Sequence, residues 1–125
     1  MTYREVLPDS CPPQAVNAPT VAVLWRLLKS DAICDGDFDS TQQRNLNKTF
    51  PNPCEARSVS LVPELAQCKT IAKSPRMRHF LFAVPVTHDA QAGTWHQDTP
   101  THVHWWVYHN TSPLTLVGQI EKLHD

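Results

Sequence analysis

Proline is the residue that most constrains how this chain folds. Eleven of its 125 residues are proline and only three are glycine, whereas average chains hold more glycine than proline. Because proline fixes φ and removes a backbone donor, the loops should be stiff. Four of the prolines fall early in the chain, at Pro8, Pro12, Pro13 and Pro19. We therefore expect residues 1–19 to form an extended arm and residues 20–125 to form one α+β domain.

Composition excludes several classes of protein. The chain is 41% hydrophobic and 18% charged, with a net charge of -1, so it is too apolar to be disordered and too evenly charged for a nucleic-acid partner. Its longest apolar run, residues 21–28, is interrupted by Arg26 and is shorter than the roughly 20 residues of a membrane span. The first eight residues lack the apolar region of a secretory signal. We expect a globular protein with neither a nucleic-acid partner nor a membrane segment.

The four cysteines predict free thiols. Cys11, Cys34, Cys54 and Cys68 include none of the close pairs that structural zinc sites use. An even number could form two disulfides in a secreted protein, but without a signal sequence a reducing cytoplasm is the expected location.

Five stretches have the pattern of strands and one has that of a helix. The predicted strands are 20–28, 56–62, 78–86, 101–108 and 114–123, and the predicted helix is 63–73. Residues 88–100 are a loop by composition, although 93–95 could begin a short strand. The last two strands should pair as a hairpin. Pro85 indicates that the C-terminal part of its strand either lies at a sheet edge or is ending. The predicted fold class is α+β, with a mainly antiparallel twisted sheet and one main helix.

One predicted strand has the composition of a binding surface. A period of two places His102, His104, Trp106 and Tyr108 on one face of residues 101–108. Rings that carry a polar atom give contact area and hydrogen bonds together, so this face could bind another protein. The alternative is that these rings pack beneath a loop, because aromatic residues are common in sheets.

The same strand raises the question of a metal. His102 and His104 lie on one face, close enough to converge on an ion, and His96 is a candidate third ligand. No aspartate or glutamate is spaced to complete the set, so the sequence predicts no metal site.

Several short motifs resemble those of a set of small uncharacterised bacterial proteins. The motifs are CPP at 11–13, WRLL at 25–28, DFDS at 37–40, CEARSVSL at 54–61 and HWW at 104–106. The resemblance covers most of the chain. It implies a bacterial, cytosolic protein and brings no particular activity with it.

A second resemblance is to the ADP-ribosyltransferases of the arginine, serine, glutamate class. Arg26, then Ser58-Val59-Ser60, then Gln119-Ile120-Glu121 follow the order of that class. The resemblance implies NAD as cofactor. It implies that Arg26 pairs with the pyrophosphate, Ser58 supports the nicotinamide pocket, Gln119 positions the acceptor and Glu121 stabilises the ribosyl cation.

Two hypotheses of function follow. The leading one is a protein-interaction module that binds a partner protein through the four-ring face, with no cofactor. The alternative is an NAD-dependent transferase with Arg26, Ser58, Gln119 and Glu121 as its site. A simpler explanation of Arg26 is that its stem packs in the strand while its guanidinium reaches the acidic loop at 35–39.

Overall fold

Two three-stranded antiparallel sheets and three helices make up the fold. The computed structural model describes residues 2–124. The strands are β1 (Val23–Leu28), β2 (Val59–Leu61), β3 (Phe82–Thr87), β4 (Gly93–Thr99), β5 (His102–Val107) and β6 (Glu121–Lys122), and the helices are α1 (Thr41–Arg44), α2 (Pro53–Ala56) and α3 (Leu65–Ile71). The predicted α+β class is confirmed, because α3 is the main helix and every strand pair is antiparallel.

The strand order separates the chain into two sheets. The first sheet has the order β1-β3-β6 and the second has the order β2-β5-β4. A bridge between Trp25 and Val62 joins them, with N···O distances of 2.7 and 2.8 Å in the two directions. Because β1 and β2 are not paired along their length, the sheets part beside this bridge.

The main core lies between the two sheets. Leu24, Val84, Leu61 and Trp105 are all fully buried there. Trp95 of β4 stacks on Trp105 of β5, with ring centroids 4.4 Å apart. Burial of such large apolar side chains is the dominant favourable term in folding.

A second core lies on the opposite face of the first sheet. Cys68 and Ala72, in and just after α3, pack there with Ala83 of β3 and Leu123. The apolar side of α3 is therefore the side that meets the sheet, as its amphipathic pattern predicted.

The predicted hairpin of 101–108 with 114–123 is wrong. Residues 93–99 form β4, which the sequence assigned mostly to a loop, and β4 makes the hairpin with β5 through a turn at Pro100 and Thr101. β2 occupies the other edge of β5. The C-terminal segment therefore runs to the first sheet, where the two residues of β6 pair with β3.

Of the two alternatives for Pro85, the sheet edge is wrong, since β3 is the central strand of the first sheet, whereas the strand does end two residues later, at Thr87. Pro85 faces Trp25 across the β1 pair, and its carbonyl accepts the Gly118 N–H at 2.9 Å on the other side. The missing N–H thus points towards the irregular segment around Gly118, and the ladder with β1 loses no hydrogen bond.

A disulfide joins Cys11 to Cys54, with Cα atoms 5.4 Å apart. The prediction of free thiols is therefore wrong for this pair, whereas Cys34 is free and exposed and Cys68 is free and buried. The arm folds back along the second sheet, where Tyr3 bridges to Tyr108. That return brings Cys11 to α2, a contact between residues 43 positions apart that spacing alone does not reveal.

Burial raises the pKa of the Cys68 thiol to about 12. The thiol therefore stays protonated and behaves as a small apolar side chain in the second core.

Within residues 2–124, the helices are too short to cross a bilayer.

Candidate metal centre

The site lies on the face of the second sheet that points away from the core. β5 places His102, His104 and Trp106 on this face, and β4 places His96 there, directly opposite His104. The rings of His96 and His104 are nearly parallel, with centroids 6.4 Å apart, and His104 is stacked on Trp106 at 5.6 Å. The predicted alternation along this strand is thus confirmed.

The predicted exposure of this face is wrong. His104 is 4% exposed and Trp106 is 1% exposed, while His102 and Tyr108 are part-buried. The arm and α2 cover the strand, and the Trp106 indole N–H donates to the Cys54 carbonyl at 2.9 Å. The four rings therefore do not form one exposed platform.

Three side chains of the β4–β5 hairpin converge at one point. Asp98 Oδ1 lies 3.0 Å from His102 Nδ1, and Asp98 Oδ2 lies 2.9 Å from His104 Nε2. The three candidate ligand atoms all lie within 4.8 Å of one another. This is a set of two imidazoles and one carboxylate, a combination that binds divalent transition metals.

The hairpin itself brings these residues together. Thr99 is paired with His102 across the turn, and a shift in register falls between Gln97 and Thr99. Asp98 lies at this irregularity, a feature that re-aims a side chain relative to a regular strand. The carboxylate is thereby directed at the two histidines of the neighbouring strand.

A hydrogen-bond chain beneath the site fixes the protonation of His104. The Ser58 hydroxyl lies 2.7 Å from the Glu55 carbonyl oxygen. Because a carbonyl oxygen can only accept, Ser58 donates its one hydroxyl proton to it. Ser58 Oγ also lies 2.8 Å from His104 Nδ1. The proton of that second bond must come from Nδ1.

With the proton assigned to Nδ1, the contact between His104 Nε2 and Asp98 needs a cation between the two atoms. With the proton on Nδ1, a neutral His104 presents the lone pair of Nε2 to the Asp98 carboxylate at 2.9 Å. Two acceptors at that distance repel unless a proton or a metal ion lies between them. Metal-binding histidines commonly donate their other N–H to a neighbouring oxygen, as His104 does to Ser58.

The surroundings of His104 disfavour a proton between its Nε2 atom and Asp98. Burial lowers the pKa of His104, and the hydrogen bond to Asp98 opposes this effect only in part. Burial would raise the pKa of Asp98, but the neighbouring His104 and His102 imidazoles hold it below its ordinary value. Both shifts favour a neutral imidazole beside a carboxylate, which is the state that binds a metal.

The spacing of the donor atoms also fits a metal. First-row ions bind nitrogen and oxygen at about 2.0–2.2 Å, which places adjacent ligand atoms roughly 3 Å apart. The two carboxylate–imidazole distances, 2.9 and 3.0 Å, are compatible with that separation as well as with hydrogen bonds. Glu55 Oε1 lies 3.8 Å from His104 Nε2, and its side chain is 49% exposed. It is a carboxylate next to the three ligands, on the side open to solvent.

Ser58, His104 and Asp98 are linked in the same order as the residues of a serine hydrolase triad. Ser58 is only 2% exposed, and its proton is donated to the Glu55 carbonyl instead of to the imidazole. A nucleophile needs both access to substrate and a base that takes its proton. The arrangement does not support that chemistry.

The residues of the transferase hypothesis are not brought together. Arg26 pairs with Val84 and Glu121 pairs with Ala83, so their side chains point to opposite faces of the first sheet. Ser58 lies just before β2, in contact with His104, and Gln119 is exposed before β6.

The simpler explanation of Arg26 fits its contacts. Its guanidinium donates to the backbone carbonyls of Asp37 and Ser60, both at 2.9 Å, and of Asp39 at 3.4 Å.

Sequence reasoning found both histidines and missed Asp98. The residues 88–100 were assigned to a loop, so Asp98 had no predicted position relative to the strand. The available signal was the spacing Asp98, His102, His104 around the turn-forming Pro100, which a tight hairpin brings to one face.

No protein-family model, curated protein or solved structure matches this chain. The resemblances drawn from its motifs therefore stay predictions.

Proposed function

We propose that this protein binds one divalent first-row transition-metal ion through Asp98, His102 and His104, and uses it as a catalytic centre. The observation that carries the proposal is the convergence of Asp98, His102 and His104, with His104 Nε2 2.9 Å from Asp98 Oδ2. The buried Ser58–Glu55 chain that fixes the protonation of His104 supports a built site over a chance cluster.

Three protein ligands favour catalysis over a structural role. Structural sites close the coordination sphere with four protein ligands, whereas catalytic sites keep positions for water or substrate. A metal held here would act as a Lewis acid or lower the pKa of a bound water. Glu55 lies within reach to accept a proton from such a water, since its carboxylate neighbours His104 and is half exposed.

The test is metal binding by the full chain with its disulfide intact. After treatment with EDTA, we expect one equivalent of Co²⁺ to bind and give the visible absorption of a nitrogen–oxygen site. Zn²⁺ should displace it, with the affinity measured by calorimetry. The His102→Gln variant should bind about 10- to 100-fold more weakly or not at all, because it removes a ligand while His102 is not part of the core.

The matched control is His109→Gln, because the His109 side chain is exposed and lies outside the cluster. Its affinity should equal that of the unmodified chain. Stoichiometry below one, or equal loss in both variants, would contradict the proposal.

Partner binding, the leading hypothesis from the sequence, stays a prediction. Burial of Trp106 and His104 removes the surface on which it was based.

We propose an oxidising compartment in place of the predicted cytoplasm, because stable disulfides are typical of such compartments. Trapping thiols at the moment of cell lysis tests this. Alkylation of all four cysteines would show that the disulfide is absent in the cell and would contradict an oxidising compartment.

A further inference from the structure

A cavity opens beside the candidate metal centre, where the two sheets part. Its volume is about 450 Å³, within the range of small-molecule sites. β1 and β2 form two of its walls, and His102 forms part of its lining. His102 is therefore a member of both the candidate metal centre and the cavity lining.

Two arginines give the cavity positive charge. Arg26 and Arg44 both line it, and within residues 2–124 neither guanidinium forms an ion pair with a carboxylate. The nearby Asp37 carboxylate instead accepts the Cys34 N–H at 2.8 Å. In the part of the chain that the structure describes, both guanidiniums donate to backbone carbonyls only.

Donors remain available on both arginines. Arg44 is exposed and uses only Nη2, which donates to the Gly36 and Asp37 carbonyls at 3.2 and 3.3 Å. Its Nη1 and Nε groups have no acceptor within the described part of the chain. Burial and the neighbouring Arg44 lower the pKa of Arg26 to about 10, so it remains charged at neutral pH.

The rest of the cavity is mainly apolar. Leu27 of β1, Ile71 of α3, and Met77 and Phe80 of the following loop contribute to its walls. A ligand that satisfies both parts has an anionic group for the guanidiniums and an apolar body for these side chains. Planar carboxylates match the fork of a guanidinium.

From this arrangement we propose that the cavity binds a small organic acid, with its carboxylate at Arg26 and Arg44 and its apolar body against Leu27, Ile71 and Phe80. The inference rests on the proposed metal centre for one part only, namely that the bound acid is the substrate presented to the metal beside His102. Binding of the acid itself depends on the arginines and on the apolar wall.

The first experiment measures binding of 3-phenylpropanoate to the full chain by calorimetry, with and without Zn²⁺. We expect saturable binding in both states. The uncharged 3-phenylpropanamide and the short acid acetate should bind far more weakly, because each lacks one of the two groups that the cavity accepts. No binding of 3-phenylpropanoate in either state would overturn the inference.

Arg44→Gln should weaken binding about tenfold by removing one charge-assisted contact, and Arg44→Lys should restore part of the loss. Arg76→Gln is the matched control, because Arg76 is exposed and lies outside the cavity lining. Circular dichroism and the melting temperature check that each variant is folded. Equal affinity in Arg44→Gln and Arg76→Gln would overturn the role of the arginines, and inorganic phosphate binding as tightly as 3-phenylpropanoate would overturn the organic-acid assignment.

A second measurement places the acid relative to the metal. With Co²⁺ bound, the protons of 3-phenylpropanoate should relax faster than with Zn²⁺, and Asp98→Asn should abolish the effect. Co²⁺ binding without faster relaxation would overturn the link between the cavity and the metal. If Co²⁺ does not bind while the acid does, the proposed function fails and the acid site stands.

Discussion

The Ser58 hydroxyl proton determines what His104 can bind. Because that proton is donated to the Glu55 carbonyl, Nδ1 of His104 must donate and Nε2 is left as a lone pair. The same ring in contact with a serine that donated to it would carry its proton on Nε2 and form an ordinary hydrogen bond to Asp98. The tautomer of His104, and with it the ability of Nε2 to bind a metal, is thus determined by a buried serine.

We expect the metal-free protein to keep His104 neutral at lower pH than a free histidine, whose pKa is about 6.5. Burial lowers the pKa of His104 despite the neighbouring Asp98 and Glu55 carboxylates. The unfolded chain then binds this proton first, so the free energy of unfolding falls as pH drops below 6.5. An NMR titration of the His104 ring in EDTA measures the midpoint. A midpoint at or above 6.5 would contradict the expectation.

For single residues, the sequence predicted which side chains share a strand face more accurately than it predicted which side chains are buried. Alternation along β5 correctly placed His102, His104 and Trp106 together. It could not predict that the arm covers Trp106, because that cover comes from residues about 100 positions earlier in the chain. It could not predict the role of Asp98 either, because that depends on the register of the hairpin.

Among the secondary-structure elements, the β4–β5 hairpin matters most to the site. Its far end depends on Gly93, which has φ 155° and is paired with Val107. A Cβ atom there would lie 2.2 Å from the Trp106 carbonyl oxygen and 2.6 Å from Trp105 Nε1. Only glycine fits against the neighbouring strand at this point.

Gly93→Ala should therefore destabilise the protein by about 2–4 kcal/mol, from backbone strain and overpacking together. Urea unfolding of the variant measures the loss. Gly36→Ala is the control, because a Cβ atom on Gly36 would meet nothing closer than 3.8 Å. Similar stability of the Gly93→Ala and Gly36→Ala variants would show that the close approach of the strands can relax.

Local pattern predicted the elements that carry a clear period. β1, β2, β5 and α3 fall within predicted segments, and β3 extends one residue beyond its predicted segment, to Thr87. The stretch 114–123 failed because β6 is only two residues long, and the partner of a strand is not encoded in its own alternation. β4 was missed because polar residues on its outer face made the segment look like a loop.

In the whole molecule, the disulfide closes a loop between Cys11 and Cys54, 43 positions apart. In the chain-entropy account, a loop of this length stabilises the folded state by about 4 kcal/mol. The Cys11→Ser/Cys54→Ser double variant should lose a comparable amount, measured by denaturant unfolding. The control is Cys34→Ser, because Cys34 is free and exposed.

Thiol counting on the unmodified protein checks the pairing itself. Without reductant, only Cys34 should react in the native state, because Cys68 is buried and its pKa is raised to about 12. Cys68 should react as well after denaturation, and all four cysteines after reduction. Four reactive thiols in the denatured, unreduced chain would contradict the disulfide.

The parting of the two sheets is a property of the whole molecule that no single segment contains. The cavity collects its walls from α1, α3, β1, β2 and the loop after α3. In the sequence analysis, the resemblance to ADP-ribosyltransferases implies that Arg26 binds the pyrophosphate of NAD, which is a different role from lining this cavity. Its guanidinium contacts the acidic loop at 35–39 and β2, and Arg44 of α1 lies nearby. Because these segments are separate in the chain, the surroundings of Arg26 could not be predicted from local pattern alone.

The link between Cys11 and Cys54 also encloses the exposed stretch 45–49, which contains no helix or strand. A protease that cuts there would leave two pieces held by one covalent bond, so the nicked molecule would run as a single band on a gel until a reductant is added. Damage at this surface would thus release no fragment, and Cys11 would stay fastened to α2 beside Ser58.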